Sequence, residues 1–262
     1  MDYVAVAIAA LIVSALALYS GFGLGTLLMP VFALFFPIPV AVASTAAVHL
    51  ANNVFRITLV GRGADWKTVL AFGLPAAALA IPGAFLLVRL SDITPLTTYT
   101  IGEREFDVTT IKIVVAVLIL AFAAFELIPK LRQVEFPREW IPFGGALSGF
   151  FGGLSGHQGA LRSAVLAKTG LGTAAFVGTV SVCALMVDAS RLAVYGVTFF
   201  ANDFTDISEG NSIGLVGVAT LAAFIGTYTS SMFLKQVTMK TIRQVVGIML
   251  VVIGLALASG LI

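Results

Sequence analysis

The feature that most constrains this chain is the length of its uncharged runs. No Asp, Glu, Lys or Arg occurs from Tyr3 to Phe55, and further runs without them cover 68–88, 141–161, 169–187, 210–234 and 244–262. A helix needs about 20 apolar residues to cross a hydrocarbon core of about 30 Å, so each run is near or above the length of a span. Charged residues make up 11% of the 262, against about 25% in an ordinary soluble domain. Only helices and closed barrels satisfy their backbone groups inside a bilayer. A barrel would show alternating strands of about ten residues, and none is present. The expectation is an all-α polytopic membrane protein.

Before the first apolar run stand Asp2 and no Lys or Arg, and the run has no end resembling a cleavage site, so no removable signal peptide is expected. Cys183 is the single cysteine, with two histidines, His49 and His157, and no Cys/His spacing. No intramolecular disulfide, metal site or cofactor is therefore expected. The formal net charge is +2 with no basic run, which gives no basis for binding nucleic acid.

The sequence repeats itself. A shift of 135 positions places Ser20-Gly21 on Ser155-Gly156, Ser44 on Thr179, Asn53 on Asp188, Arg56 on Arg191 and Gly61 on Gly196. Near the end of each half the shift becomes 131, where "TTIKIVVA" (109–116) meets "KTIRQVVG" (240–247). In so apolar a composition most matches carry no weight. The Asn/Asp, Arg and Gly positions at identical spacing do. Two repeats follow, 1–130 and 136–262, forming one integral membrane unit.

Loop charges orient the halves. Lys and Arg dominate 61–67, 129–140 and 235–243, whereas 89–108 is mostly acidic and 197–212 holds Asp203, Asp206 and Glu209 with no base. The positive-inside rule places the first three in the cytoplasm and the other two outside, with both termini outside, in a cell inner (plasma) membrane. Equivalent loops then lie on opposite sides, so the repeats are inverted. Each half divides into about five segments. The first reads 3–19, a break at "SGFGLG" (20–25), a short helix near 26–36, a second break at Pro37 and Pro39, and a helix 39–60. The second reads 141–154, a glycine break, a short helix near 158–169 and a helix 173–196.

Glycine-interrupted segments at matching places in inverted halves point to the binding site of a secondary transporter near the midplane. A broken helix exposes N–H groups and the positive end of a dipole, a ready cradle for an anion. Ser20, Gly21, Gly23, Ser155, Gly156, His157, Gln158, Gly159 and Arg162 are the candidate substrate-binding residues. Arg162 carries most weight, because a charge at a helix centre costs ~2.5–3.5 kcal/mol; its dull alternative is to cap the carbonyls of the break. Asn52, Asn53, Arg56, Asp188 and Arg191 are candidates for coupling or for lining the cavity. Arg56 alternatively snorkels to the headgroups. Arg191 alternatively pairs with Asp188 on its own helical face. His49 is expected to hydrogen-bond between helices, and Lys168 to reach the membrane surface. His157, in the break, is expected to have water or polar neighbours and to couple protons to anion movement, against a purely structural role.

The stretches "SGFGLGTLLMP" (20–30) and "FGGLSGHQGALRSAVL" (151–166) resemble the sulfite exporter TauE/SafE family in motif, duplication and chain length. The resemblance implies a carrier of sulfite, sulfonates or related small organic anions across the inner membrane. The chain departs from the pattern where "SGHQGALRS" replaces a glycine run and Val165 stands opposite Pro30. Two other classes share some of these features. An anion channel shares inverted repeats and broken helices with a carrier. An intramembrane hydrolase is suggested by "GLSG" (153–156), which resembles the Gly-x-Ser-Gly of rhomboid proteases, but no His follows His157 to serve as base. No catalytic residue is expected.

Overall fold

The computed structural model describes residues 2–20, 24–60, 63–132, 137–199, 212–232 and 239–262. Among them, ten helices of eight residues or more follow in order: α1 (Asp2–Ser20), α2 (Leu24–Ala33), α3 (Ile38–Val60), α4 (Trp66–Ser91), α5 (Thr110–Leu127), α6 (Ile141–Ser155), α7 (Gly159–Leu166), α8 (Thr173–Phe199), α9 (Ser212–Met232) and α10 (Met239–Ala258). Helices α3, α4, α8 and α9 contain stretches long and apolar enough to cross a bilayer. The outside is apolar, with Val4, Leu221 and Val252 each more than 60% exposed, while Arg56, Arg162, Asp188 and Arg191 are buried. That is the reverse of a soluble domain and suits a hydrocarbon solvent. The protein is an all-α polytopic membrane protein.

The predicted segments and breaks agree with these helices to within a few residues. The loop 89–108 contains an antiparallel hairpin of β1 (Thr97–Ile101) and β2 (Arg104–Val108). Its Tyr99 hydroxyl donates to the Ser259 carbonyl at 2.5 Å, and Lys112 Nζ donates to the Asp107 carbonyl at 2.9 Å, so the hairpin sits on the end of α10. At the opposite end of α4, Asp65 caps the helix by accepting from Thr68 N. The Thr68 hydroxyl and N–H, with the nearby Lys67 ammonium, hold the Asp65 carboxyl below the usual carboxylate range.

Helix α7 does not carry the chain across. Arg138, just before α6, donates from Nη2 to the Thr169 carbonyl just after α7, at 3.2 Å. A surface cleft of about 410 Å³ is likewise bordered by Arg138, Ile141 and Pro142 together with Thr169 and Leu171. Helices α6 and α7 therefore leave one end of the molecule, turn at Gly156 and return to it. The 27 residues of α8 then supply the crossing, since they span about 40 Å at 1.5 Å per residue.

The helices pair across the halves: α1 packs on α9, α4 on α6, α3 on α8 and α5 on α10. The α4–α6 contact is close enough to exclude side chains. A Cβ on Gly145, Gly149 or Gly153 would lie 2.3, 1.9 or 2.1 Å from the carbonyl oxygens of Phe72, Ala76 and Ala80. The stripe at every fourth residue lets two backbones touch, which is how helices associate where lipid is as apolar as the interface. Phe72 lies in a π-helical stretch, Val69–Gly73. Pro75, lacking an N–H, cannot bond back into this turn, a common cause of local widening.

Candidate functional site

The centre of the molecule is a polar layer made by α3, the α6–α7 turn and α8. Thr45, His49, Asn52, Asn53 and Arg56 share one face of α3 at helical spacing, and all are buried. On α8, Asp188 is the hub. Its Oδ2 accepts from His49 Nδ1 at 2.7 Å and from Asn53 Nδ2 at 3.1 Å. Its Oδ1 accepts from Gln158 Nε2 at 2.9 Å and from Arg191 Nε and Nη2 at 3.1 and 2.7 Å. Five donors thus satisfy one carboxylate, tying α3 and the α6–α7 turn to α8. Arg191 Nη1 also donates to the Gly152 carbonyl at 3.2 Å, and the Tyr195 hydroxyl to that of Gly153. These bonds hold the frayed carbonyl end of α6.

The turn itself is built by Gly156, whose φ of +78° only glycine adopts freely. Its carbonyl lies 3.2 Å from where a Cβ of Gly25 would stand, near the start of α2. The two broken regions therefore meet at the centre. Gly159 opens α7 behind Gln158, whose carbonyl accepts from Ser148 Oγ at 2.9 Å.

Among the described residues, the other two cations of the layer have no ion-pair partner. Arg162 is 2% exposed and Arg56 3% exposed. Nε and Nη1 of Arg162, and Nε and Nη2 of Arg56, are buried with no hydrogen-bond partner among the described residues. The two guanidiniums are close enough to repel each other, and Arg162 also feels Asp188 and Arg191. Asn52 Nδ2 and Ser163 Oγ are further buried polar atoms without a partner among the described residues. Buried polar groups are ordinarily satisfied, and a buried guanidinium left bare is costly. An arrangement so rich in free donors is complementary to an anion.

The sequence-predicted residues divide accordingly. Arg162, Arg56, Asn52, Asn53, His157, Gln158, Asp188 and Arg191 are all buried in this region. Arg56 does not snorkel. Arg191 pairs with Asp188, its alternative role, and His49 bonds between helices, as expected. Asn52 accepts from Thr227 of α9 at 2.9 Å. Two expected donors are committed elsewhere: Ser155 Oγ donates to the Phe151 carbonyl at 3.0 Å, and Gln158 Nε2 serves Asp188. His157 is buried between a polar neighbour and an aromatic one. It is 1% exposed, its ring stacks on Phe122 at 6.0 Å, and Nδ1 lies 2.7 Å from the Ser155 carbonyl. That carbonyl requires Nδ1 to carry the proton, so the same nitrogen, 3.2 Å from Ser155 Oγ, is no base for the hydroxyl. Gly21 and Gly23 lie outside the described residues, as do the side chains of Ser20 and Lys168. Among the described residues no group of three His, Cys, Asp or Glu side chains is placed to hold a metal ion. The sequence reading gave His49 no place in the site, although it lies on the same α3 face as Asn52, Asn53 and Arg56.

The family model described as sulfite exporter TauE/SafE matches residues 6–257. The chain belongs to this family. As a TauE/SafE member it is a membrane transporter of sulfur-containing anions such as sulfite, and not an enzyme. No curated protein and no solved structure matches it.

Proposed function

We propose that this TauE/SafE chain is a secondary carrier that binds one small sulfur oxyanion or sulfonate between Arg162 and Arg56, near the midplane, and exposes it alternately to the two sides. The observation that carries this reading is the pair of buried guanidiniums with free N–H groups, within electrostatic range of each other. An anion is what would neutralise both. Asn52 and Ser163 add uncharged donors, and the meeting of the breaks at Gly25 and Gly156 supplies irregular backbone where a polar ligand tolerates it. Ser20, Gly21, Gly23 and Gly159 belong to the same breaks in the sequence and are part of the site in this reading. Asp188 and Arg191 hold the layer together, and the anion does not displace them.

The halves 1–130 and 136–262 act as inverted repeats in this reading. Asn53 and Asp188, equivalent under the 135-residue shift, touch each other, as residues beside a pseudo-two-fold axis must. The pairing of α1 with α9 has its counterpart in that of α6 with α4. Residues 65–68 and 138–142 border one cleft, in keeping with both preceding loops being cytoplasmic. The hairpin at the far end of α4 and the end of α10 would then face outward, in the plasma membrane. A reporter fused after Gly63 is expected inside, and one within 203–209 outside.

The test is saturable flux in reconstituted vesicles across sulfite, thiosulfate, alkanesulfonates and carboxylates, with binding measured alongside. Arg162→Gln should weaken anion affinity by about 2 kcal/mol, on the order of 30-fold, as for a lost charge-assisted bond. An open, ohmic anion conductance in place of saturable flux would identify a channel.

A further inference from the structure

The polar layer contains one titratable contact to which the anion reading gives no task. His49 Nδ1 and Asp188 Oδ2 lie 2.7 Å apart, and two such atoms approach that closely only with a proton between them. Asn53 Nδ2 is 3.2 Å from the same nitrogen, but its bond is the one to Asp188 Oδ2 at 3.1 Å. Asp188 already accepts from five donors, which saturates the roughly four lone-pair sites of a carboxylate. A further proton on this contact therefore goes to Nε2 of His49. The neighbouring ring atom Cδ2 lies 3.9 Å from the Cβ position of Gly25. The ring is thus wedged between the carboxylate and the point where the two breaks meet.

The charged groups that face His49 are Asp188 and Arg191 from α8 and Arg162 from α7. Arg56 follows on its own helix, and His157 and Gln158 occupy the α6–α7 turn. Cys183 lies on α8 towards Arg162. Helix α2 offers no titratable side chain. Before an anion arrives, the Arg162 and Arg191 guanidiniums repel a positive charge on the imidazole while the Asp188 carboxylate attracts it. An anion on Arg162 cancels part of that opposition and leaves the contact with Asp188 intact.

We propose that His49 is the proton-binding residue of this carrier, taking a solvent proton on Nε2 when the anion docks on Arg162 and Arg56 and releasing it when the anion leaves. This rests on the anion reading and makes the protein a proton–anion symporter. Linkage requires the effects to be mutual, so anion affinity rises as pH falls through the titration of His49. His157 is less suited to this role. Its Nδ1–H is committed to the Ser155 carbonyl, its ring lies on Phe122, and it has no carboxylate contact among the described residues.

Thiosulfate is the probe, because it is fully ionised at neutral pH and exchanges no proton of its own. Proton uptake on adding thiosulfate to the full chain in weakly buffered detergent should be about one per anion bound. His49→Gln should bind thiosulfate with no uptake and no pH dependence, and His157→Gln should keep the uptake of about one proton per anion bound. His49→Asn places an amide near Nδ1 to donate to Asp188, and keeps the test usable where the glutamine variant folds poorly. Unchanged uptake in the His49 variants, or its loss in His157→Gln, overturns the assignment. Wild-type binding without uptake also overturns it while leaving the anion site standing. Equal binding by wild type and Arg162→Gln, or no wild-type binding, overturns the anion reading itself.

Discussion

The faces of α3 and α8 that meet at the centre are equivalent under the internal repeat, yet they treat the same side chain differently. Arg191 has Asp188 three residues before it and is fully engaged, whereas Arg56 has Asn53 at that place and keeps two buried nitrogens free. Helix α7 adds Arg162, for which the first half has Leu27. One carboxylate in place of an amide thus separates a guanidinium that supports structure from one that can meet a ligand.

The sharpest way to break this comparison is to exchange the two acids and amides. Asp188→Asn leaves Arg191 buried and uncompensated, and Asn53→Asp sets two carboxylates against each other across 3.1 Å. Each single change should cost about 3–5 kcal/mol, the usual penalty for breaking a buried pair. The double exchange should recover most of that loss by pairing position 53 with Arg56. Thermal unfolding in detergent reads all three, and a double variant no better than the singles would deny the equivalence.

Next in size is the dry contact that contrasts with the polar layer. Gly149→Leu drives a side chain into the Ala76 carbonyl, 1.9 Å from the first added carbon. Because backbone cannot yield as a side chain does, the loss should be about 3 kcal/mol, the upper end for overpacking. Gly217→Ala, with nothing within 4 Å of the new carbon, should stay within about 0.5 kcal/mol of wild type. Equal shifts in the two variants would mean that α4 and α6 do not touch.

A smaller effect is expected at Arg56. Arg56→Gln removes an unpaired buried charge, so the melting temperature without anion should hold or rise. The extra stabilisation given by saturating thiosulfate should shrink, since ligand stabilisation follows affinity. A melting temperature that falls, with the thiosulfate increment unchanged, would make Arg56 structural.

The smallest effect concerns Asp65 at the surface. Its carboxyl titrates below the ordinary carboxylate range because the Thr68 hydroxyl and N–H bond the charged form. A depressed folded-state value stabilises above the unfolded value and is lost as pH falls through the folded one. Asp65→Asn should therefore melt slightly below wild type at neutral pH, with the gap closing only in acid. A gap independent of pH would point to shape and not charge.

Much of the fold is legible in the sequence because hydrocarbon imposes simple demands. Uncharged runs, glycine breaks at 20–25 and 153–159, and Pro37 with Pro39 mark the helices almost to their ends. The repeat at Asn53, Arg56, Asp188 and Arg191 marks the central layer, since charge there needs a reason. What stayed hidden depends on which partner a donor selects. Ser155 and Gln158 read as ligand donors, yet a carbonyl and a carboxylate brought close by folding claim them. The hairpin at 97–108 is short and exposed, so no buried alternation announces it. The stripe Gly145, Gly149 and Gly153 has helical spacing, but 26 glycines in the chain obscure it.

The hairpin resting on the end of α10 also bears on how the protein is made. Tyr99 and Ser259 are 160 residues apart, and Ser230 of α9 reaches the Ala15 carbonyl of α1 across 215. At roughly 5–20 residues per second of synthesis, Tyr99 waits on the order of 10–30 s for its partner, and α1 waits longer still. During that interval the early helices sit in lipid with polar groups such as His49 and Arg56 still lacking the second half. Biogenesis therefore calls for either a chaperoning insertase that shelters these side chains or a late rearrangement in which the second half threads its partners into place.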